Sequence, residues 1–383
     1  MHNLSLEEAN QLDDITDVKL ASLMSHAAKK RNDYWGRVMT YSRKVFIPLT
    51  NYCRDECKYC TFVKRPGDPQ ANIMTPTQVL AVAKKGQELG CKEALFSLGE
   101  KPELRYKEVR SALRLMGYSS MIDYLIAMCQ LVLNETTLIP HVNAGNLEPE
   151  EVKELKKVSA SMGLMLESTN VDLLKKGAAH FACPDKVPSL RLKTIQQAGI
   201  NKVPFTTGIL IGIGETWKDR VESLFEINKL HQQYGHIQEV IVQNFCAKPA
   251  TEMANYPEPT IKDMLKTLAV ARLILAPSIS LQAPPNLQEN FSKYISAGIN
   301  DWGGISPLTR DYINPQNAWP QIDSLAKSCN SESFQLQERL AIYPSYLNTQ
   351  KEFIAVGINH RLIKMARPDG LAQEQINLGG LLC

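Results

Sequence analysis

The 383-residue chain carries 43 Lys and Arg against 40 Asp and Glu, a formal net charge of +3, with 44% hydrophobic residues. That near-balance gives no electrostatic reason for a nucleic-acid or membrane partner, so a small or neutral substrate is the simpler expectation. The length suits one large α/β barrel or two ordinary domains. No apolar run approaches a bilayer span, and the start, Met1–Glu8, lacks the basic and apolar regions of a secretory signal, so a soluble cytoplasmic protein is expected.

In chain order, residues 1–43 read as a polar helical extension. From residue 45 short β-branched runs alternate with longer helical patterns, the signature of repeated βα units and a parallel sheet. Strands are predicted at Val45–Leu49, Ala94–Leu98, Leu138–Val142, Gly163–Glu167, Val203–Ile211, Glu239–Asn244 and Ile279–Gln282, with a weak eighth at Ile299–Trp302. Eight such strands close an α/β (β/α)8 barrel of the TIM type, placed here at residues 44–306. Helices are predicted at Thr75–Leu89, Tyr118–Asn134, Glu148–Lys157, Leu190–Ala198, Trp217–Tyr234 and Thr260–Leu275. Residues 307–383 form a C-terminal appendage expected to pack on the barrel, with the last residues expected to be mobile.

Nine cysteines is an odd count, and six of them are scattered singly. A disulfide framework is not expected at such spacings, and Cys91 and Cys129, in apolar surroundings, read as buried small hydrophobes. Cys53, Cys57 and Cys60 differ: they form C-x3-C-x2-C directly after the first strand. Three thiolates can hold three irons of a four-iron cluster and leave the fourth open to a chelating cosubstrate. The alternative, a zinc site, ordinarily needs a second C-x2-C pair, and the chain has none.

In a parallel barrel the active site lies at the carboxyl ends of the strands. Ser97-Leu98-Gly99-Glu100 ends the second strand, His141 and Asn143 the third, and Glu167 the fourth. Gly208 to Glu215, reading G-x-L-x-G-x-x-E, ends the fifth; Gln243-Asn244 ends the sixth, Gln282 to Asn286 the seventh and Asp301 to Gly304 the eighth. Each has an ordinary structural reading, as a turn, a cap or a core strand. Their recurrence at one rim is what a structural role does not require.

The cysteine motif, with Tyr59 before its last cysteine, resembles the radical S-adenosylmethionine superfamily. Further strings resemble one family within it: residues 41–51, 60–62, 91–100, 203–215, 236–245, 282–287 and 301–309, in that order. It is the family of subunit 1 of 7,8-didemethyl-8-hydroxy-5-deazariboflavin synthase, and the similarity runs from about residue 40 to about 375.

The resemblance implies a [4Fe-4S] cluster on Cys53, Cys57 and Cys60. It also implies S-adenosyl-L-methionine held by Tyr59, Gly99, Glu100, Glu167, Gly208, Gly212 and Glu215. Gly99-Glu100 departs from the superfamily's Gly-Gly-Glu element, since Leu98 replaces the first glycine. The implied activity is that of a carbon–nitrogen lyase. A 5′-deoxyadenosyl radical starts cyclisation of 5-amino-5-(4-hydroxybenzyl)-6-(D-ribitylimino)-5,6-dihydrouracil, with loss of ammonia, to the deazaflavin used in coenzyme F420 and in photolyase antennae. Implied partners are a sister radical subunit that makes the adduct and an external one-electron donor.

A ribityl- and uracil-bearing substrate suits the rim residues Asn143, Thr206, Gln243, Asn244, Gln282 and Asn286, with Phe205, Phe245 or Trp302 as an aromatic wall. His141 and Asp301 are the candidate general bases by their rim positions. Two other readings stay open: a biotin synthase-like or aminofutalosine-pathway-like radical enzyme on the same barrel, and a non-catalytic iron–sulfur or zinc protein.

Overall fold

A computed structural model describes residues 3–374. Eight parallel strands form a closed ring: β1 (Val38–Thr50), β2 (Glu93–Leu98), β3 (Ile139–Asn143), β4 (Ser161–Gly163), β5 (Phe205–Ile211), β6 (Ile237–Asn244), β7 (Ser280–Gln282) and β8 (Asp301–Ile305). Closure comes from β1, which pairs with β2 and with β8. The fold is thus the (β/α)8 barrel the strand count suggests. Helices Pro76–Glu88, Met121–Glu135, Trp217–Tyr234 and Ile261–Ile274 return the chain between strands. Each starts at a Ser or Thr, at 75, 120, 216 and 260, whose side chain accepts an amide hydrogen of the first turn; such a cap contributes about 1 kcal/mol.

The period of two along β1 sorts its side chains. Val45, Ile47 and Leu49 join the core beneath the helices, while Ser42, Lys44 and Phe46 line an interior cavity. Gly86 permits this close helix contact, because a Cβ there would lie 2.7 Å from Cβ of Val45. Barrel interiors are ordinarily filled by layers of branched apolar residues. Here the inward positions of β1, β2, β3 and β6 include Lys44, Glu93, His141 and Gln243, so the interior stays open and polar.

The amino-terminal end of the barrel is closed by the C-terminal segment. A ninth strand, β9 (Gln335–Arg339), pairs in parallel with Val38–Ser42 of β1, below the stretch that pairs with β2. It had no expectation from the sequence. Arg339 reaches inward from it, donating to Asp301 Oδ2 at 2.7 Å and Oδ1 at 2.9 Å and to Glu239 Oε1 at 3.1 Å. Outside the barrel, helix Asp17–Trp35 packs on Ile261–Ile274, and its Lys30 donates to the carbonyls of Leu273 (3.3 Å) and Leu275 (2.9 Å) at that helix's end. A cation there satisfies carbonyls the helix leaves unpaired.

Three strand expectations need correction. The first strand begins at Val38, not Val45, so the barrel takes in the end of the stretch expected as a helical extension up to residue 43. The fourth strand is Ser161–Gly163, and Glu167 touches β5 only through an isolated bridge to Ile209. The eighth begins at Asp301 rather than ending there, which moves Asp301 from the rim to the floor. The expectation for the chain's last residues falls outside the described residues. No described helix is long and apolar enough to cross a membrane.

Candidate active site

A cavity of about 370 Å³ opens at the carboxyl ends of the strands and runs down to Arg339. Cys53, Cys57 and Cys60 all line its mouth. Their loop is held by its neighbours: Arg54 N–H donates to the Glu100 carbonyl at 3.0 Å, Lys58 N–H to the Ala179 carbonyl at 3.0 Å, and the Arg54 side chain pairs with Asp185. Cys53 Sγ accepts the Glu100 amide at 3.1 Å. Behind the loop, Tyr59, Leu173, Leu210, Ile213 and Phe245 form a small apolar cluster against which Cys57 and Cys60 pack. Burial pushes the thiols of Cys53 and Cys60 up, whereas a hydrogen bond from Cys183 pulls Cys57 down. Cys183 Sγ is 3.7 Å from Cys57 Sγ but stands outside the cavity wall.

Beside the thiols is a concentration of acid. Carboxylate oxygens of Asp55, Glu100 and Asp185 lie within 4.8 Å of one another, all buried. Glu100 accepts the Asn146 amide, and burial, opposed by Arg191 at 3.8 Å, pushes its carboxyl up to about 7. Two glycines open this corner, Gly99 for the cysteine loop and Gly145 for Glu100 itself. A Cβ at Gly99 would lie 1.9 Å from the Tyr52 carbonyl oxygen, and one at Gly145 would lie 2.2 Å from the Glu100 carboxylate. Glu167 also lines the cavity, paired with Lys186 at 2.6 Å and held at φ +66, a left-handed conformation rare outside glycine. Backbone strain of about 1–3 kcal/mol at such a residue persists where the surroundings enforce it, commonly at binding sites.

The donor set fits the cofactors in question. Three convergent thiols on one loop match a cubane cluster with one iron left free, and a buried acidic cradle at Glu100 matches the ammonium of an amino-acid cosubstrate.

The glycine-rich string behaves differently. Gly208, Gly212 and Glu215 do not line the cavity; only Leu210 of that segment does. Glu215 accepts the Gly212 and Ile213 amides, both at 2.8 Å, and pairs with Arg220 at 2.8 Å, so its carboxylate is spent closing the turn. Gly212 has φ +92, which this turn requires. Tyr59 lines the cavity and hydrogen-bonds His180 Nε2 at 2.9 Å.

Of the substrate candidates, Asn143, Thr206, Gln243, Asn244 and Gln282 line the cavity. Asn286 does not, being turned to Asp311 and the Asn317 carbonyl. Of the aromatic candidates only Phe245 faces inward; Phe205 and Trp302 lie in the main core, and Phe46, Phe62 and Trp319 supply the wall instead. Asp301 is fully buried, held by Arg339, Thr40 and the Gly303 amide, and does not line the cavity, so it is no general base. His141 does line it, yet its Nδ1 meets Ser161 Oγ at 2.7 Å and Nε2 meets Asn143 Oδ1 at 3.1 Å, and burial pushes its pKa down. Lys44, Glu93, Gln238, Glu239, Trp319 and Arg339 escaped the sequence reading. The alternation Ser42-Lys44-Phe46 was the available signal for one of them; Arg339 had none.

Comparison with known proteins gives the family and the fold. The profile of the Radical SAM superfamily matches residues 47–227. The 7,8-didemethyl-8-hydroxy-5-deazariboflavin synthase of Methanopyrus kandleri is 45% identical over 337 residues, covering 88% of this chain and 100% of that protein. The FO synthase of Streptomyces coelicolor is 44% identical over 389 residues, covering 98% of this chain but 45% of that protein, so the chain spans less than half of that longer relative. Among solved structures, the FeFe-hydrogenase maturase HydG from Carboxydothermus hydrogenoformans superposes with a TM-score of 0.71 at 18% identity, over 95% of this chain and 86% of that one. Methylornithine synthase gives 0.68 at 18%, over 88% and 94%. These two show the shared fold. A [4Fe-4S] cluster and S-adenosylmethionine are the cofactors that go with the superfamily match. On the full-length match to the Methanopyrus protein, the chain belongs to the 7,8-didemethyl-8-hydroxy-5-deazariboflavin synthase family of radical S-adenosylmethionine enzymes.

Proposed function

We propose that the chain closes 5-amino-5-(4-hydroxybenzyl)-6-(D-ribitylimino)-5,6-dihydrouracil into 7,8-didemethyl-8-hydroxy-5-deazariboflavin with loss of ammonia. The observation that carries this reading is a single cavity with three thiols at its mouth and uncharged amides, Asn143, Gln238, Gln243 and Gln282, farther in. Cys53, Cys57 and Cys60 hold the cluster; Gly99, Glu100 and Glu167 hold S-adenosylmethionine. Together these groups, when bound, supply one-electron, hydrogen-abstracting chemistry.

The chain's own residues do the rest. Glu100 meets the cosubstrate's ammonium, which favours the ionised carboxylate against the burial that disfavours it. Amides offer both donors and acceptors, so the inner set can pair an imide edge and several hydroxyls without presenting a charge. A sister radical subunit supplies the adduct, and an external one-electron donor reduces the cluster.

The test is anaerobic reconstitution with iron and sulfide, reduction, and addition of S-adenosylmethionine and the adduct. Fluorescent deazaflavin should appear together with 5′-deoxyadenosine. Cosubstrate cleavage without deazaflavin would instead favour another radical reaction on this barrel, and no cleavage would remove the catalytic reading.

A further inference from the structure

Of the acidic and basic side chains lining the cavity, Lys44 alone has neither a hydrogen bond nor an ion pair among the described residues. It is only 8% exposed. Glu93 is taken by Ser42 at 2.6 Å, Glu239 by Arg339 and Tyr343, Lys186 by Glu167, and Lys248 by the Tyr59 carbonyl at 3.2 Å. The Lys44 ammonium lies over the Trp319 ring at 4.9 Å and near the Phe46 ring at 5.8 Å. Space for its stem comes from Gly304, where a Cβ would sit 2.3 Å from Lys44 Cδ and 2.8 Å from Nζ.

Trp319 repeats the pattern. Its indole Nε1 is buried without a hydrogen-bond partner, on a residue that also lines the cavity. An unpaired buried donor is destabilising, and a buried ammonium without a counter-charge more so, which marks the pair as built around something else.

We propose that Lys44 and Trp319 form a two-donor pocket for the phenol oxygen of the substrate's hydroxybenzyl ring, binding it as the phenolate with Phe46 against the ring. This rests on the deazaflavin-forming reading above. Both groups only donate, so they select an oxygen that only accepts; ribityl hydroxyls need donors and acceptors together, which the amide set offers. The aromatic flanks suit a ring, and the positive charge suits an anion. Burial pulls the Lys44 ammonium below the usual lysine range, against the opposing pull of Glu93, Asp311 and Glu239, while Arg339 reinforces it; an anion in the pocket would favour the charged form.

The experiment measures binding, not turnover, with two probes: 7,8-didemethyl-8-hydroxy-5-deazariboflavin, which carries the oxygen as its 8-hydroxyl, and 5-amino-6-(D-ribitylamino)uracil, which lacks it. On the wild-type protein the deazaflavin should bind with its 8-hydroxyl ionising at lower pH than when free, visible in its absorption. Lys44→Met should weaken the deazaflavin tenfold or more and abolish that shift, while leaving the uracil affinity within twofold. Trp319→Phe, which keeps an aromatic ring and removes the N–H, should weaken the deazaflavin severalfold, so the inference does not hang on one variant's folding. An unchanged ionisation shift in both variants, or an equal loss of uracil binding, overturns the pocket. Failure of the wild type to bind either probe overturns the functional reading, and the pocket with it.

Discussion

The mouth and the floor of the cavity are built on opposite principles. At the floor, Asp301, Glu239 and Arg339 are saturated: Arg339 is bidentate to Asp301, and Glu239 accepts from Tyr343 at 2.9 Å and Thr206 at 3.0 Å. At the mouth, three thiols face one cavity, and Asn244 Oδ1, on a residue that lines it, is buried without a partner among the described residues. A saturated buried network holds the protein to itself; an unsatisfied one is arranged around a guest. Substitutions should therefore separate the two ends cleanly, costing cofactor at one and stability at the other.

The largest effect is expected from Cys57→Ser. Deazaflavin formation should fall to background and bound iron should drop, while the thermal midpoint of the metal-free protein barely moves. A large loss of metal-free stability would show that the mouth is structural after all.

Gly99→Ala should come next. Its Cβ would meet the Tyr52 carbonyl at 1.9 Å and Cys53 Cβ at 2.7 Å, so the cysteine loop must shift. Cluster retention, read as iron per chain after gel filtration, should fall by about 10–100-fold, the usual range for a displaced supporting shell. Retention equal to wild type would mean that the loop tolerates displacement.

The floor responds in the other currency. Arg339→Met leaves Asp301 and Glu239 buried without their counter-charge, which should cost about 3–5 kcal/mol in urea unfolding. Protein that survives at low temperature should still take up its cluster. Normal stability with a lost cluster would reverse the assignment of the two ends.

The last effect concerns acid. His231 and His236, near the amino end of β6, are pulled by burial to about 4 and about 3. Both are neutral in the fold and protonate more readily unfolded. Their contribution is present above the ordinary histidine range and is lost as the pH falls below about 6.5, by up to about 1.4 kcal/mol per pH unit for each. Urea midpoints at pH 7 and pH 5 measure it. His236→Asn should flatten the dependence, and a slope unchanged in that variant would assign the acid sensitivity elsewhere.

Legibility in the sequence divided along the same line. The mouth is local: C-x3-C-x2-C, Gly99-Glu100 and the strand before each are short strings, and the structure brings Cys53, Cys57, Cys60, Glu100 and Glu167 to one cavity. Where the local reading went wrong, the cause was also local. The short, glycine-rich β8 carries a weak signal, and a frame set too early puts Asp301 at its carboxyl end when it stands at the start; a strand's two ends lie on opposite faces of the barrel. Glu215 matched a binding string, but its hydrogen bonds go to its own turn. The floor could not be read at all, since Arg339 meets a partner 100 residues away at Glu239 and arrives on a strand with no periodic signal. Lys44 lay between these cases, visible as an inward position on β1 but without anything in the sequence to say that it would be unpaired.

The most direct measurement of what the mouth and the cavity do together is isotope transfer. With the adduct deuterated at its carbon-bound positions, reconstituted enzyme should yield 5′-deoxyadenosine carrying one deuterium for each deazaflavin formed. Unlabelled 5′-deoxyadenosine alongside deazaflavin would contradict the placement of substrate against the cysteine mouth.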